Sequence, residues 1–186
     1  MKVFSHSGPR DTVMSPMDSI IHRKKTLHAG LLSIEPSSGQ IKAWVGGIDY
    51  KFFQYDNVDQ SRRQVGSTFK PFVYATALRM GMNSCDELPN QVTCIDLPEG
   101  YDPPIWCPQN SSEEAEYGEI VTLEYALANS MNTVTAKLIK TFGTDRVIKL
   151  AHALGIDSYI PNVPSIALGV AELKLKELVS ANAALV

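Results

Sequence analysis

The chain has 186 residues, of which 44% are hydrophobic and 20% are charged, and its formal net charge at pH 7 is −3. This length and composition suit one globular domain or a large part of one. The small negative charge gives no reason to expect nucleic acid as a partner. No apolar run approaches the length of a membrane span, and the first residues lack the apolar segment of a secretion signal.

The three cysteines argue against a metal centre. Cys85, Cys94 and Cys107 form no C-x-x-C pair and have no histidine at ligand spacing, so neither zinc nor another metal is expected. No glycine-rich phosphate loop occurs either, and we expect no cofactor. Cys94 and Cys107 flank a turn-rich segment and could pair in an oxidising compartment, which would leave Cys85 free. The sequence leaves this pairing open.

The first segment of the chain has no apolar periodicity. Residues 1–17 carry Gly8, Pro9 and Pro16, so they predict a loop or an inter-domain linker that leads in from an upstream part of a larger protein. Asp18 is the expected N-cap of a short helix that follows.

A β-hairpin is predicted over residues 29–46. Leu32 and Ile34 alternate with polar residues in its first half, and Ile41 and Val45 do so in its second half. The intervening Pro-Ser-Ser-Gly is typical of a turn. Two antiparallel strands follow from this pattern.

The next string, Arg-Gln-Val-Gly-Ser-Thr-Phe-Lys-Pro, occupies residues 63–71. Pro71 is tolerated only in the first turn of a helix, and Gly81 offers a C-terminal stop. Ser67 is therefore predicted at the helix N-terminus, where free backbone N–H groups suit a developing oxyanion. Lys70 lies one turn further on the same face, so its amine can reach the Ser67 hydroxyl. The pair predicts a nucleophile with its base.

Residues 83–118 form a long segment in which little regular structure is expected. The segment contains five prolines and several Asp, Asn and Gly residues. Its string Trp-Cys-Pro-Gln-Asn, at residues 106–110, is interpreted as a packed loop anchor rather than as a site.

A second pair of polar side chains lies between two predicted helices. Thr122 is the expected cap of the first helix, and Thr133 the expected cap of the second, which ends at Gly143. The tight connection between them presents Ser130 and Asn132 outward into a cleft. Because a Ser and a Lys three residues apart also occur by chance, this second pair strengthens the catalytic interpretation.

The last third of the chain is predicted to be mostly helical. A helix is expected from Asp145 to Leu154, closed by Gly155. Residues 165–169 are expected to be extended, and a final helix is expected from residue 171 or 172 onward.

Taken together, these strings resemble the transpeptidase domain of penicillin-binding proteins, most closely the bifunctional class A type. The strings that carry the resemblance lie at residues 63–71, 106–110 and 126–133. Ser67-x-x-Lys70 matches the first motif of the family, and Ser130-x-Asn132 matches the second. The resemblance implies an α+β fold, with helices packed on an antiparallel sheet as in β-lactamases and transpeptidases, and makes residues 18–186 the N-terminal part of that domain.

The resemblance also implies a role for each site residue. Ser67 would be acylated by the penultimate D-alanine of a peptidoglycan stem peptide, or by a β-lactam that imitates D-Ala-D-Ala. Lys70 would take the serine proton, Ser130 would relay a proton to the leaving amine, and Asn132 would hydrogen-bond the substrate amide. A desolvated lysine has a lowered pKa and can act as a base near neutrality.

Two departures from the family pattern are evident. Val65 stands where the family usually has proline, which we expect not to touch the chemistry. No Lys-Thr-Gly or Lys-Ser-Gly string, the third motif of the family, occurs in the 186 residues. The chain is therefore expected to be a fragment with an incomplete sheet. By itself it should be poorly acylated and should aggregate through the open hairpin edge and the open apolar face of the serine helix.

By resemblance, the whole protein is expected at the bacterial cell envelope, on the extracytoplasmic side of the inner membrane. A membrane anchor would lie upstream of this chain, and the wall-synthesis machinery is left open as a further partner. Two alternatives also remain: a serine β-lactamase, and a β-lactam sensor or scaffold without turnover. The string from Glu172 to Leu175 does not match the Glu-x-x-Leu-Asn of class A β-lactamases, which favours a long-lived acyl-enzyme.

Overall fold

The computed structural model describes residues 1–111 and 117–186. The helices in these ranges are α1 (Pro16–Lys25), α2 (Lys70–Arg79), α3 (Leu123–Ala128), α4 (Asn132–Phe142), α5 (Thr144–Ala153) and α6 (Leu175–Ala183). Short 3₁₀ helices lie at Gly66–Phe69 and Pro164–Leu168. No helix of the described residues is long and apolar enough to cross a membrane.

The strands pair into small antiparallel sheets. They are β1 (Lys2–Val3), β2 (Arg10–Asp11), β3 (Leu31–Ile34), β4 (Ile41–Val45), β5 (Arg62–Gln64), β6 (Glu87–Pro89), β7 (Ile95–Asp96), β8 (Ile105–Trp106), β9 (Ile120–Thr122) and β10 (Glu172–Lys174). The pairs are β1 with β2, β3 with β4, β5 with β10, β6 with β9, and β7 with β8. Helices together with antiparallel strands confirm the predicted α+β class.

Helix α2 lies in the hydrophobic core. It packs against α4, α5 and the 3₁₀ helix at Pro164–Leu168, and Phe72, Val73 and Ala77 are at most 1% exposed. The expectation that the apolar face of this helix lies open to solvent is therefore wrong. As predicted, Pro71 stands in its first turn. This packing fixes the backbone that carries Lys70.

Several local predictions hold. The hairpin over residues 29–46 is confirmed by β3 and β4. Thr122 caps α3, because its side-chain oxygen accepts a hydrogen bond from the backbone N–H of Tyr125. Helix α4 ends before Gly143 and α5 before Gly155, as expected.

Two helix caps differ from the prediction. Helix α1 is capped by Ser15 rather than by Asp18, since Pro16 at its first position allows the helix to begin earlier. Helix α4 begins at Asn132, with Met131 as its N-cap residue, so Thr133 lies inside the first turn and does not cap the helix.

Three segments predicted as loop, extended chain or helix have other structures. Residues 1–17 contain the paired strands β1 and β2, although a loop was expected. Residues 165–169 lie in and just after the 3₁₀ helix that Pro164 opens, so they are not extended. Residues 172–174 form β10 before the final helix because they pair with β5. Residues 1–17 and 172–174 form strands because they pair with another segment of the chain, and the residue pattern within each segment does not indicate that pairing.

The long segment at residues 83–118 is more ordered than expected. Strand β6 pairs with β9, and β7 pairs with β8. A disulfide bond joins Cys94 to Cys107, which settles the pairing that the sequence left open, and Cys85 is free and exposed. The part of this prediction that concerns residues 112–116 lies outside the described residues.

Candidate active site

Ser67 lies in the 3₁₀ helix that leads directly into α2. Its side chain is exposed, and the backbone N–H of Lys70 donates to its carbonyl oxygen. Among the described residues no hydrogen bond joins the Ser67 hydroxyl to Lys70. The serine is thus presented to solvent at the start of the helix, as the sequence predicted, with its hydroxyl open to an incoming ligand.

Lys70 is the buried charge of this site. The residue is 1% exposed, and its Nζ atom donates to the Ser130 carbonyl oxygen, to Ser130 Oγ at 3.0 Å and to Asn132 Oδ1 at 2.7 Å. Desolvation by burial lowers the pKa of Lys70 to about 8. The structure therefore brings three of the four predicted site residues into direct contact.

The protonation state of Lys70 decides what these contacts can do. A protonated amine has three N–H groups, and the three oxygen atoms satisfy all of them. A neutral amine keeps two N–H groups, which the Ser130 carbonyl and Asn132 Oδ1 can accept, while its lone pair is free for a hydroxyl proton. The same pocket can thus hold either form, and the lowered pKa makes the neutral form accessible near neutral pH.

Ser130 has an unusual backbone conformation. It follows the C-cap residue of α3, its N–H donates to Leu127 O, and the next N–H, of Met131, donates to Ala126 O. These two bonds define a Schellman motif, whose left-handed position is usually occupied by glycine. Ser130 adopts this position with φ of 52°. The conformation directs both its carbonyl and its hydroxyl oxygen at Lys70.

Asn132 is held at both ends of its carboxamide. Oδ1 accepts from Lys70, whereas Nδ2 donates to Gln109 O at 2.8 Å and to Ser111 Oγ at 3.5 Å. The contact with Ser111 is long, so this N–H is the one that a ligand carbonyl can take at least cost. Asn132 thus makes one short hydrogen bond through Oδ1 and one through Nδ2, and its second Nδ2 N–H is available to a ligand.

The string at residues 106–110 takes part in the site, although the sequence analysis interpreted it as a packed loop anchor. Asn110 Oδ1 accepts hydrogen bonds from the backbone N–H groups of Asn132 at 2.8 Å and Thr133 at 3.2 Å. Local patterns did not indicate this role, because they predicted Thr133 as the cap; the structure instead puts the apolar Met131 at the N-cap position, where its side chain cannot cap the helix. A cap must then come from elsewhere in the chain.

A second feature that the sequence analysis missed lies behind Ser67. Gly66 and Gly169 both have left-handed backbones, with φ of 56° and 71°, and Gly66 N donates to Gly169 O at 2.9 Å. A Cβ atom at Gly169 would lie 1.9 Å from Gly66 O. Only glycine allows this close approach of two backbones.

Val65 also takes part in this contact. Its N–H donates to Ala171 O at 3.1 Å, which proline could not do because it lacks an N–H. The departure noted at this position therefore adds one backbone hydrogen bond beside the turn that carries Ser67.

The sequence and the fold match known proteins. The family model described as penicillin binding protein transpeptidase domain matches residues 30–166, and the one described as penicillin-binding protein middle domain matches residues 1–27. Penicillin-binding protein 1A of Aquifex aeolicus is 38% identical over 160 residues, which are 83% of this chain and 21% of that protein. The chain spans about a fifth of the length of the curated relatives that it matches.

Solved structures agree with this result. The crystal structure of penicillin-binding protein 1A from Haemophilus influenzae superposes with a TM-score of 0.74 at 31% identity, over 84% of this chain and 23% of that chain. Penicillin-binding protein A from M. tuberculosis, solved as a penicillin G acyl-enzyme complex, has a TM-score of 0.63 at 19% identity, over 83% of this chain and 45% of that chain. The second likeness concerns the fold alone.

Proposed function

Because the chain belongs to the family of penicillin-binding protein transpeptidase domains, we propose that the protein carrying it is a serine D,D-transpeptidase. It would cross-link peptidoglycan stem peptides through an acyl-serine intermediate, and β-lactams would inhibit it. The observation that carries this proposal is the buried amine of Lys70, bonded to Ser130 and Asn132 and three residues beyond the exposed Ser67. Activity and substrate are proposed for the whole protein.

In the acylation step, Ser67 Oγ attacks the carbonyl carbon of the penultimate D-alanine. The hydroxyl proton passes to the lone pair of neutral Lys70, and a tetrahedral oxyanion forms. The oxyanion then collapses, the bond to the terminal D-alanine breaks, and an ester to Ser67 remains. A second stem peptide attacks this ester through an amine, which regenerates the serine.

Ser130 is suited to carry the proton to the leaving amine. Its hydroxyl lies 3.0 Å from Lys70 Nζ, so it can pass its own proton outward while it receives one from the lysine. Asn132 would bind the substrate amide, through the N–H that otherwise makes the long contact to Ser111. These roles rest on the contacts of Ser130 and Asn132 described above.

The acyl-enzyme is proposed to be long-lived, as in a transpeptidase rather than a β-lactamase. Glu172, the candidate for activating a deacylating water, lies in β10 opposite Gln64 of β5 and has an exposed side chain. The string from Glu172 to Leu175 also lacks the Glu-x-x-Leu-Asn pattern with which class A β-lactamases activate that water. This supports the transferase over the hydrolase.

Location and domain boundaries follow from the same proposal. We place the protein at the bacterial cell envelope with this part on the extracytoplasmic side, where stem peptides and β-lactams would meet it. The boundary between a linker at residues 1–17 and the transpeptidase part from residue 18 remains a proposal, and the middle-domain match extends to residue 27.

The experiment that tests the proposal labels the whole protein with a fluorescent penicillin. Wild type should form one covalent adduct, which peptide mass spectrometry should assign to Ser67, and Ser67→Ala should lose it. Cys85→Ser is the matched control, because it removes an exposed free thiol and should leave labelling unchanged. An adduct on Ser130 or Cys85 would overturn the assignment. Cross-linking of stem peptides by wild type separates a transpeptidase from a β-lactam sensor.

A further inference from the structure

Helix α4 carries Asn132 at its first position, yet it has no cap of its own. The first N–H groups of a helix have no partner inside the helix, and a Ser, Thr, Asp or Asn just before it usually accepts from them. Here that position is Met131, whose side chain makes no such bond. The N–H groups of Asn132 and Thr133 therefore need an acceptor from another part of the chain.

Asn110 supplies this acceptor from 22 residues earlier in the sequence. Its Oδ1 atom accepts from Asn132 N at 2.8 Å, from Thr133 N at 3.2 Å and from Thr133 Oγ1 at 3.3 Å. A single carboxamide oxygen thus satisfies the first two backbone donors of α4. Asn110 thus acts as the N-cap of α4, although it is not adjacent to this helix in the sequence.

The orientation of the Asn110 side chain is itself fixed. Nδ2 donates to Asn90 Oδ1 at 2.9 Å, and Asn90 is fully buried. Thr133 Oγ1 also donates to Asn90 Oδ1, at 2.7 Å. Because the amide nitrogen of Asn110 is committed to Asn90, its oxygen faces the start of α4. The half-buried Asn110 cap is therefore anchored to a buried side chain.

The string at residues 106–110 also holds the side chain of Asn132. Gln109 O accepts from Asn132 Nδ2 at 2.8 Å, while Asn132 Oδ1 accepts from Lys70 Nζ at 2.7 Å. The backbone of Asn132 is thus held by Asn110, and its side chain by Gln109 and Lys70. A shift of the helix start would move the acceptor away from the lysine amine.

We infer that Asn110 is a positioning residue for the acyl-transfer site, which caps α4 from outside and so sets the place of Asn132 relative to Lys70. This inference rests on the proposed function for its kinetic consequence. Its structural part, the capping of α4 by Asn110, stands independently.

The test compares two near-isosteric substitutions in the whole protein. Asn110→Leu keeps the volume and removes both hydrogen-bonding groups. Asn110→Asp loses the N–H that Asn110 donates to Asn90 but keeps the acceptor, and Asp is as good a cap as Asn. Misplacing a catalytic group by about 1 Å can cost on the order of 10²-fold in rate. We expect Asn110→Leu to lower the second-order rate constant of penicillin acylation roughly 10- to 100-fold. We expect Asn110→Asp to remain at least about fivefold faster than the leucine variant.

The second readout is hydrogen–deuterium exchange at the amides of Asn132 and Thr133. Asn110→Leu should lose protection at these two amides, with the rest of α4 little changed. Asn162→Ala is the matched control, since Asn162 bridges to Thr144 and Asp145 in the first turn of α5, away from the site. It should lower stability without changing the acylation rate or the exchange at Asn132.

The outcomes separate this inference from the proposed function. Acylation of Asn110→Leu at the wild-type rate, with protection at Asn132 and Thr133 kept, overturns the inference. An equal loss of rate in Asn162→Ala overturns it too, because the effect would then be one of general stability. If wild type itself is not labelled at Ser67, the proposed function fails, and the exchange experiment alone decides whether Asn110 caps α4.

Discussion

The burial of Lys70 should set the pH dependence of the acylation rate. Burial lowers the pKa of Lys70 to about 8, and in the proposed mechanism only the neutral amine can accept the Ser67 proton. We expect penicillin acylation of the whole protein to rise about tenfold per pH unit below this pKa and to level off above it. The sign follows because the active form is the deprotonated base. Stopped-flow acylation rates across the pH range measure this profile.

Lys70→Arg tests the same point with the charge kept. A guanidinium cannot be deprotonated in a protein, so the variant should lose acylation by roughly 10²- to 10⁴-fold at every pH. Near-normal acylation by this variant would mean that Lys70 serves only as a cation. The thermal midpoint of each variant should be measured alongside, because the longer side chain must fit a buried site.

Ser130 combines a chemical group with a strained backbone, and substitution can separate the two. With φ of 52°, any residue with a Cβ atom pays roughly 1–2 kcal/mol there, whereas glycine does not. Ser130→Gly should therefore be about 1 kcal/mol more stable than Ser130→Ala, as measured by denaturant unfolding. Both variants lack the hydroxyl and should acylate slowly to a similar extent. Equal stability of the two would show that the left-handed conformation costs nothing here.

Two elements far apart in the sequence meet behind Ser67. Gly169, which follows the 3₁₀ helix at Pro164–Leu168, approaches Gly66 so closely that a Cβ atom would lie 1.9 Å from Gly66 O. The neighbouring atom is backbone and cannot swing aside. Gly169→Ala must then displace the turn that carries Ser67, and acylation should fall on the order of 10²-fold.

Gly155→Ala is the matched control for this substitution. Gly155 also has a positive φ, of 98°, but a Cβ atom there would meet nothing within 4 Å. It should cost about 1 kcal/mol of stability and leave the acylation rate unchanged. If both alanine variants acylate alike, the contact between Gly66 and Gly169 does not position Ser67.

Local patterns in the sequence predict elements that depend on neighbouring residues. Pro71 sets the start of α2, and alternation predicts the hairpin of β3 and β4, because each signal lies within a few residues of its effect. The four predicted site residues come from motifs of the same kind, and their roles remain predictions. Of these four, the structure brings Lys70, Ser130 and Asn132 into contact.

Features that depend on distant partners could not be predicted in this way. Residues 172–174 become a strand only because β5 lies beside them. Asn110 acts as a cap only because the fold places it at the start of α4. In each case the deciding hydrogen bond joins segments far apart in the sequence: a strand pairing for residues 172–174, and a side-chain acceptor for the start of α4.

Across the described residues, the core and the hairpin differ in how much apolar surface they expose to solvent. The core is built on α2, α4 and α5, whose facing side chains are buried. The hairpin of β3 and β4 instead leaves large apolar side chains in contact with solvent. They are Leu31, Ile41, Trp44 and Val45. Lys70 and Asn132 lie on two of these core helices, α2 and α4.

The hairpin makes self-association the expected behaviour of the 186-residue polypeptide. Leu31 and Val45 lie opposite each other in the β3–β4 register, and their side chains are 54% and 49% exposed. No further strand of the described residues pairs with this two-stranded sheet, and apolar surface beside an open strand edge invites pairing with a second copy. Light scattering after size-exclusion chromatography should therefore show a mass above that of a monomer, rising with concentration.

A double substitution tests whether this surface is the cause. Leu31→Lys with Val45→Glu places opposite charges across the strand pair, which should keep the hairpin paired while it removes the apolar contact. We expect this variant to be monomeric. Leu27→Lys is the matched control, since Leu27 is 89% exposed but lies outside the sheet, and it should associate like wild type. A monomeric wild-type polypeptide, or a double variant that still associates, would contradict the argument, because in either case the hairpin surface would not be what holds the copies together.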